Sequence, residues 1–181
     1  IEVLHGVDFD LTPGEVHALI GENGAGKSTV MKILGGFLAP TSGQVLLDGR
    51  PVTYTTGAQA EAQGVVVIHQ EFNLAQDLTV AENIYLGREI GGLLLNHRAM
   101  REGTLALLDQ LECRASPDAR VRALPVSDRQ MVEIAKALSR KARVLIMDEP
   151  TAALTHREVG SLYQQIDRLR AEGVAILYCS H

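Results

Sequence analysis

Apolar residues follow two patterns along this chain: short unbroken runs, and longer stretches in which they recur every three or four positions. Unbroken apolar runs bounded by turn residues indicate buried β-strands. Such runs occupy positions 64–68, 144–147 and 174–178, and two mostly apolar runs that also contain polar residues occupy positions 15–20 and 45–49. Apolar residues at helical spacing indicate helices that bury one face. These stretches start near Val30, Leu78, Arg98, Asp128 and Glu158. The alternation of strands and helices predicts an α/β fold with a parallel sheet covered on both faces.

Local signals refine three of these segments. Thr79 stands three residues before Glu82, which is the spacing of a capping box at a helix start. The polar stretch 114–122 contains a proline and is predicted to be a solvated loop. The helix from Asp128 to about Ser139 is expected to bury a single apolar face.

A glycine-rich segment, the phosphate loop (Gly21–Thr29), lies between the first strand and the first helix. It reads GENGAGKST and fits the pattern G-x-x-x-x-G-K-[ST]. Glycines let successive backbone N–H groups converge on an anion, and the helix N-terminus adds its positive end. The segment therefore predicts binding of a nucleoside triphosphate, with Lys27 reaching the β- and γ-phosphates and the Ser28 hydroxyl ligating Mg²⁺. The predicted phosphate contacts are Gly21, Glu22, Asn23, Gly24, Ala25, Gly26, Lys27, Ser28 and Thr29.

Two carboxylates follow the apolar run 144–147. In parallel α/β sheets, ligands bind outside the carboxyl ends of the strands, which is where Asp148 and Glu149 are predicted to lie. Asp148 is expected to hold Mg²⁺, most simply through water. Glu149 is expected to polarise the attacking water as a general base.

Composition narrows the class of protein. A length of 181 residues suits one domain with a sizeable core. The formal net charge of −5 argues against a nucleic-acid partner held by a basic surface. No apolar run in the sequence approaches the roughly 18 residues of a membrane span. Cys113 and Cys179 lack metal-ligand spacing, so reduced structural thiols of a cytosolic protein are expected.

Further motifs connect these segments to a family. Gln70 follows the run 64–68, the sequence DEPT occupies positions 148–151, and Ser180-His181 follows the last predicted strand. In these motifs, and in their order, the chain resembles the ATP-binding subunit of an ABC transporter. More narrowly, four segments resemble the bacterial monosaccharide importers of the ribose, xylose and galactose type. These segments are GENGAGKST (21–29), HQEFNL (69–74), LTVAENIYLGRE (78–89) and MVEIAKAL (131–138).

The resemblance implies a fold and further site residues. It implies a P-loop NTPase of the ABC type, with a parallel core sheet, a small antiparallel β portion and a helical subdomain. Residues 1–181 would form one partial nucleotide-binding domain, the first of two in such subunits, and residues 78–129 the helical subdomain. Gln70 would contact Mg²⁺ or the attacking water and link the site to the membrane subunit. His181 would contact the γ-phosphate, so that the catalytic set is Glu149, His181, Gln70 and Lys27 and the metal set is Ser28, Gln70 and Asp148.

The function implied is ATP binding and hydrolysis that powers sugar import through a separate membrane subunit. The implied cofactors are ATP and Mg²⁺, and the implied partners are a second nucleotide-binding domain and an integral membrane permease, without nucleic acid. The protein would then lie at the cytoplasmic face of the inner membrane as a peripheral subunit. Two alternatives stay open. One is a non-transport ATPase of the same superfamily that acts in DNA repair or on ribosomes, and the other is an ATP-binding half-site with little turnover of its own.

The largest departure from the family's pattern lies in one segment. The signature loop (Leu124–Gln130) reads LPVSDRQ, whereas the family has LSGGQ or a serine–valine–glycine variant. Pro125 supplies neither a hydroxyl nor an N–H group, and Asp128 brings a negative charge toward a triphosphate. Ser127 or backbone amides are candidate substitutes. Because this loop acts in trans in the family, the partner domain's ATP site would be weakened while the site that uses Gly21–Thr29 stays competent. The adenine-stacking aromatic residue and the terminal elements of the full domain are expected outside this sequence.

Overall fold

The computed structural model describes residues 3–69, 72–92, 94–151 and 154–180. Within these residues the chain forms two compact units. The first unit draws on the ranges 1–67, 142–149 and 169–181, and the second on 68–141 and 150–168. The strands in chain order are β1 (Val16–Ile20), β2 (Val45–Leu47), β3 (Arg50–Val52), β4 (Val65–Ile68), β5 (Val144–Asp148) and β6 (Ala175–Ser180). The helices are α1 (Lys27–Leu34), α2 (Gly57–Ala62), α3 (Val80–Ile84), α4 (His97–Gln110), α5 (Val126–Leu138) and α6 (His156–Ala171).

The main sheet has the strand order β1-β6-β5-β4. Strand β6 pairs in parallel with both β1 and β5, as the alternation of strands and helices predicted. The registers place Ile20 opposite Ser180 and Asp148 opposite Cys179. The ends of β1, β5 and β6 therefore lie side by side at one edge of the sheet.

The core of the first unit consists of apolar side chains from the sheet and the elements packed on it. Its buried members are Met31, Tyr54, Ala60, Val65, Ile146, Leu177 and Cys179. Strand β1 departs from the prediction of a sheet covered on both faces, because Val16 is 38% and Ile20 71% exposed. It is the last strand in the described sheet and has only β6 as a neighbour.

Short elements around the sheet were missed by the sequence analysis. Strand β3 pairs antiparallel with β2, and α2 follows in the same unit. Neither carries an apolar pattern: β3 reads RPV and α2 reads GAQAEA. Their positions come from pairing and from the burial of Ala60, which is fully buried, rather than from local sequence preference.

The second unit is helical, and its helix α3 begins with the predicted capping box. The Glu82 backbone N–H donates to Thr79 Oγ1 at 3.2 Å, and the Thr79 N–H donates to Glu82 Oε2 at 2.8 Å. The bond from the Thr79 N–H to the Glu82 carboxylate, and then a second bond from the Thr79 hydroxyl to Glu82 Oε2 at 2.9 Å, lower the pKa of Glu82. The capping box is therefore confirmed as the start of α3.

The stretch 114–122 is only in part the solvated loop that was predicted. Ala115, Pro117 and Val121 are buried, and a short 3-10 helix occupies Val121–Ala123. The N–H groups of Val80 and Ala81, at the start of α3, donate to carbonyls of this stretch at 3.0 Å each. The loop is buried because it completes the hydrogen bonding of a helix end.

Helix α5 is buried on every side over most of its length, although its sequence predicted a single buried face. Residues 130–137 are all buried, including Gln130, Glu133 and Lys136. The helix packs against both α3 and α4. Periodicity fails here because several of the buried positions are polar. No helix among the described residues is both long and apolar enough to cross a membrane.

Candidate nucleotide-binding site

The phosphate loop connects the end of β1 to the start of α1 through two left-handed residues. Gly24 has φ +85° and Gly26, the N-cap of α1, has φ +91°. Glycine adopts these angles without the steric cost that a β-carbon brings. A β-carbon at Gly26 would also lie 2.7 Å from Leu4 Cδ2. The glycine spacing of the motif therefore corresponds to the backbone path that the structure requires.

The start of α1 offers hydrogen-bond donors to an anion. Within the part of the chain that the structure describes, the backbone N–H groups of Gly26, Lys27 and Ser28 have no acceptor. The first turn of α1 contains no acidic residue, so the positive end of the helix dipole is not offset there. These groups fit a phosphate chain, which supplies both acceptors and negative charge.

Lys27 is almost buried, at 9% exposure, and its ammonium group lies against the loop itself. Its Nζ donates to the carbonyl oxygen of Gly21 and, at 3.1 Å, to that of Glu22. Two neutral carbonyls compensate only part of the free energy that it costs to bury a positive charge. Phosphate oxygens are the stronger acceptors for an ammonium group, so the lysine is placed to exchange one set of acceptors for the other.

The two predicted carboxylates lie at the carboxyl end of β5. Asp148 is its last residue, and Glu149 follows with φ +47°, an uncommon angle for a residue with a side chain. The Glu149 N–H donates to the carbonyl oxygen of Cys179 at 3.2 Å. Backbone outliers of this kind concentrate at functional sites, and this one fixes the residue predicted to be the general base.

The Cys179 thiol shows that the two halves of the site lie together. Burial, together with the charges of Asp148 and Glu149 and against the charge of Lys27, raises its pKa to about 11. The phosphate-loop lysine and both carboxylates therefore lie close enough to one buried side chain of β6 for their charges to act on it. From the sequence, this cysteine was expected only to be a structural thiol, and its position beneath the site was not predicted.

The remaining predicted residues are placed unequally. Ser28 occupies the second position of α1, and its hydroxyl and the Asp148 carboxylate are oxygen ligands of the kind that Mg²⁺ prefers. Gln70 and His181 lie outside the described residues.

The signature loop lies in the second unit and forms the first turn of α5. Pro125 is the N-cap and makes no side-chain cap bond, while Asp128 stands in the first turn. There a carboxylate is favoured by the helix dipole. Arg129 ties the loop to the preceding chain, because its Nε donates to Leu124 O at 3.0 Å and its Nη2 to Arg122 O at 2.9 Å.

Asp128 has an acidic neighbour that the sequence did not reveal. Burial raises the pKa of Asp128, and the charge of Glu158 adds to the effect. For Glu158, burial acts to raise the pKa, but hydrogen bonds from Thr155 and Ser127 outweigh it, and the pKa is lowered. Beside the two carboxylates opens a cleft of about 300 Å³. The two residues are 30 positions apart in the sequence, so only the fold brings them together.

A comparison with known families decides the classification: the ABC transporter family model matches residues 4–152. The chain belongs to the ABC transporter family. It is 54% identical to the ribose import ATP-binding protein RbsA 1 of Rubrobacter xylanophilus and 48% identical to the arabinose import ATP-binding protein AraG 1 of Burkholderia cenocepacia. Both matches cover the whole of this chain, which spans 36% of the length of each relative.

Solved structures give the same classification of the fold. A dimeric structure of a bacterial ABC transporter cassette is 26% identical and has a TM-score of 0.86, over 99% of this chain and 80% of that one. A dimeric cassette in a post-hydrolysis state, bound to ADP and Pi, is 25% identical with a TM-score of 0.85 over the same shares. The predicted ABC-type P-loop fold, with its parallel core sheet and small antiparallel β portion, is confirmed.

Proposed function

We propose that this chain is the first nucleotide-binding domain of a subunit that hydrolyses ATP to power monosaccharide import. The observation that carries the proposal is the grouping of Lys27, Asp148 and Glu149 around Cys179 at the edge of the parallel sheet. A phosphate-binding cation and two carboxylates at one strand edge are what hydrolysis of a triphosphate requires. The import proteins that match the whole chain at about half identity support sugar as the cargo.

Each residue of the site has a distinct role in this proposal. The N–H groups at the start of α1 and the ammonium of Lys27 bind the β- and γ-phosphates and stabilise their negative charge. Ser28, Asp148 and Gln70 would hold Mg²⁺, which would neutralise charge on the phosphate oxygens. Glu149 takes the proton from the attacking water. Gln70 and His181 complete the set as the residues that contact the water and the γ-phosphate.

The proposed partners are a second nucleotide-binding domain and a membrane permease. Dimeric cassettes among the solved relatives support the first partner. Because this chain spans only 36% of the length of its import relatives, a second domain in the same polypeptide is consistent with their size. Residues 78–129, which we infer to be the helical subdomain, would present the signature loop to the partner's ATP. The subunit would lie at the cytoplasmic face of the membrane, held there by the permease and without nucleic acid.

The signature loop supports a second candidate function for one of the two sites. Pro125 offers no N–H group at the N-cap of α5, and the carboxylate of Asp128 would face phosphate. We infer that the ATP site served by this loop in trans binds nucleotide but turns it over slowly. Replacing Pro125 by serine and Asp128 by glutamine together should raise turnover at that site; unchanged turnover would remove this candidate.

The transport proposal is tested by uptake of radiolabelled ribose into vesicles that contain the full-length subunit and its permease, with ATP supplied on the subunit's side. We expect ATP-dependent uptake with the unaltered protein and none with Glu149→Gln. Glu102→Gln makes the same chemical change at an exposed residue paired with Arg98 and should leave uptake intact. ATP hydrolysis without uptake of ribose, galactose or arabinose would reject the sugar as cargo while leaving the ATPase in place.

A further inference from the structure

The chain that follows strand β4 is held in the second unit by two buried polar side chains. This anchored segment (residues 72–75) has no regular secondary structure. Asn83 of α3, which is fully buried, binds it from one side. Its Oδ1 accepts from the Ala75 N–H at 2.7 Å, and its Nδ2 donates to Ala75 O and to Thr79 O at 2.9 Å each. One amide side chain thus satisfies both backbone groups of Ala75.

Lys136 of α5 binds the same segment two residues earlier. Its Nζ donates to the carbonyl oxygen of Asn73 at 2.8 Å, and the side chain is only 7% exposed. Glu133, equally buried, lies beside it. Burial raises the pKa of Glu133, while the charge of Lys136, the Asn73 backbone amide and the charge of Arg140 lower it. The bond to Asn73 is therefore a charge-assisted bond in a poorly solvated place.

Stability alone does not account for these side chains. Replacing a buried ion pair by apolar residues of similar volume is often neutral or stabilising, so a buried lysine beside a glutamate is weak evidence for a stabilising role. The bonds of Asn83 and Lys136 instead determine which conformation the anchored segment has and which helices it moves with. Helix α5 begins with the signature loop and contains Lys136 near its other end. It is 13 residues long, or about 20 Å, and it connects the signature loop to Lys136 as one continuous helix.

We propose that Asn83 and Lys136 are positioning residues of the ATPase. They join the anchored segment to α3 and α5, so that this segment and the signature loop move as one body during the ATPase cycle. The inference rests on the proposed function, because it assigns the two residues to the catalytic cycle. Both residues belong to the second unit, whereas the phosphate loop belongs to the first. Loosening the anchored segment should therefore slow turnover without weakening ATP binding.

The test uses steady-state ATP hydrolysis by the full-length subunit assembled with its permease. We expect Lys136→Met and Asn83→Leu each to lower kcat about tenfold while the KM for ATP is unchanged. Lys136→Arg keeps the donor to Asn73 and should recover most of kcat. Ser139→Ala is the matched control, because Ser139 Oγ, at the C-cap of α5, donates to Lys136 O and to Ile84 O and makes no bond to the anchored segment. It should keep the wild-type kcat.

A kcat unchanged in both folded variants, a loss of kcat as large in the Ser139→Ala control, or a failure of Lys136→Arg to recover would overturn the proposal. Hydrogen exchange of the unaltered protein tests the anchor without any variant. The Ala75 amide should exchange as slowly as amides in the middle of α5, and fast exchange there would also overturn it. If the unaltered subunit hydrolyses no ATP, the proposed function fails first and the inference fails with it. Normal turnover in the unaltered subunit with normal kcat in the variants rejects the inference alone.

Discussion

Replacing Gly26 by alanine should weaken ATP binding more than the accompanying loss of folding stability can explain. Gly26 has φ +91° at the N-cap of α1, and an alanine in the left-handed region costs roughly 1–2 kcal/mol. The added β-carbon would also lie 2.7 Å from Leu4 Cδ2, so the loop or the leucine must shift. A shift that removes a single N–H to phosphate bond should weaken ATP binding about 10- to 150-fold, because bonds to charged groups contribute about 1.5–3 kcal/mol.

Gly43→Ala separates the two effects. Gly43 has φ +80°, and no atom lies within 4 Å of the position that its β-carbon would take. Its alanine variant should therefore show the same backbone strain, about 1–2 kcal/mol in the free energy of unfolding, with unchanged ATP affinity. Urea unfolding measures the strain, and titration calorimetry with ATP and Mg²⁺ measures the affinity.

The comparison of the two variants decides whether the phosphate loop binds the nucleotide. We expect both variants to lose stability, Gly26→Ala somewhat more because of the contact with Leu4, and only Gly26→Ala to bind ATP more weakly. If Gly26→Ala binds ATP as tightly as the unaltered protein, the start of α1 is not the phosphate site. If Gly43→Ala weakens binding equally, the loss reflects general destabilisation, and the argument from loop geometry fails.

Three other changes test separate parts of the structure. Burial and the charge of Glu158 raise the pKa of Asp128, so the stabilising contribution of this group is present below its unfolded pKa and is lost as pH rises through its folded pKa. In urea unfolding, Asp128→Asn should therefore be more stable than the unaltered protein at about pH 7 but not at about pH 4. An equal difference at the two pH values would reject the raised pKa of Asp128. Thr79→Ala removes the hydroxyl bonded to Glu82 and should lower the free energy of unfolding by about 1 kcal/mol, whereas an unchanged value would show that the cap does not stabilise the folded state. Cys179 is fully buried with its pKa raised to about 11, so peptide mapping after iodoacetamide treatment at about pH 8 should find it unmodified in the folded protein, and rapid labelling there would contradict its position beneath the site.

The sequence predicted the parts of this fold whose positions depend on local chemistry. The runs that became β4, β5 and β6 are apolar throughout because the sheet buries them. The capping box at Thr79 and the glycine pattern before Lys27 follow from hydrogen bonds and backbone angles within a few residues. Such features require no knowledge of distant parts of the chain.

Features that depend on distant contacts were missed. Helix α5 was expected to expose a polar face, yet Lys136 is buried because the carbonyl of Asn73, 63 positions earlier, accepts a hydrogen bond from its ammonium group. The position of Cys179 beneath Lys27 and Glu149 depends on the parallel pairing of β5 with β6. Pairing between strands so far apart leaves no local signal in either one.

The most direct test of the central claim is phosphate release from ATP by the full-length subunit, with Glu149→Gln as its control. The account predicts steady release by the unaltered subunit and none in Glu149→Gln, because Glu149 takes the proton from the attacking water. Release that is unaffected by the glutamine would contradict the assignment of Glu149 as the general base.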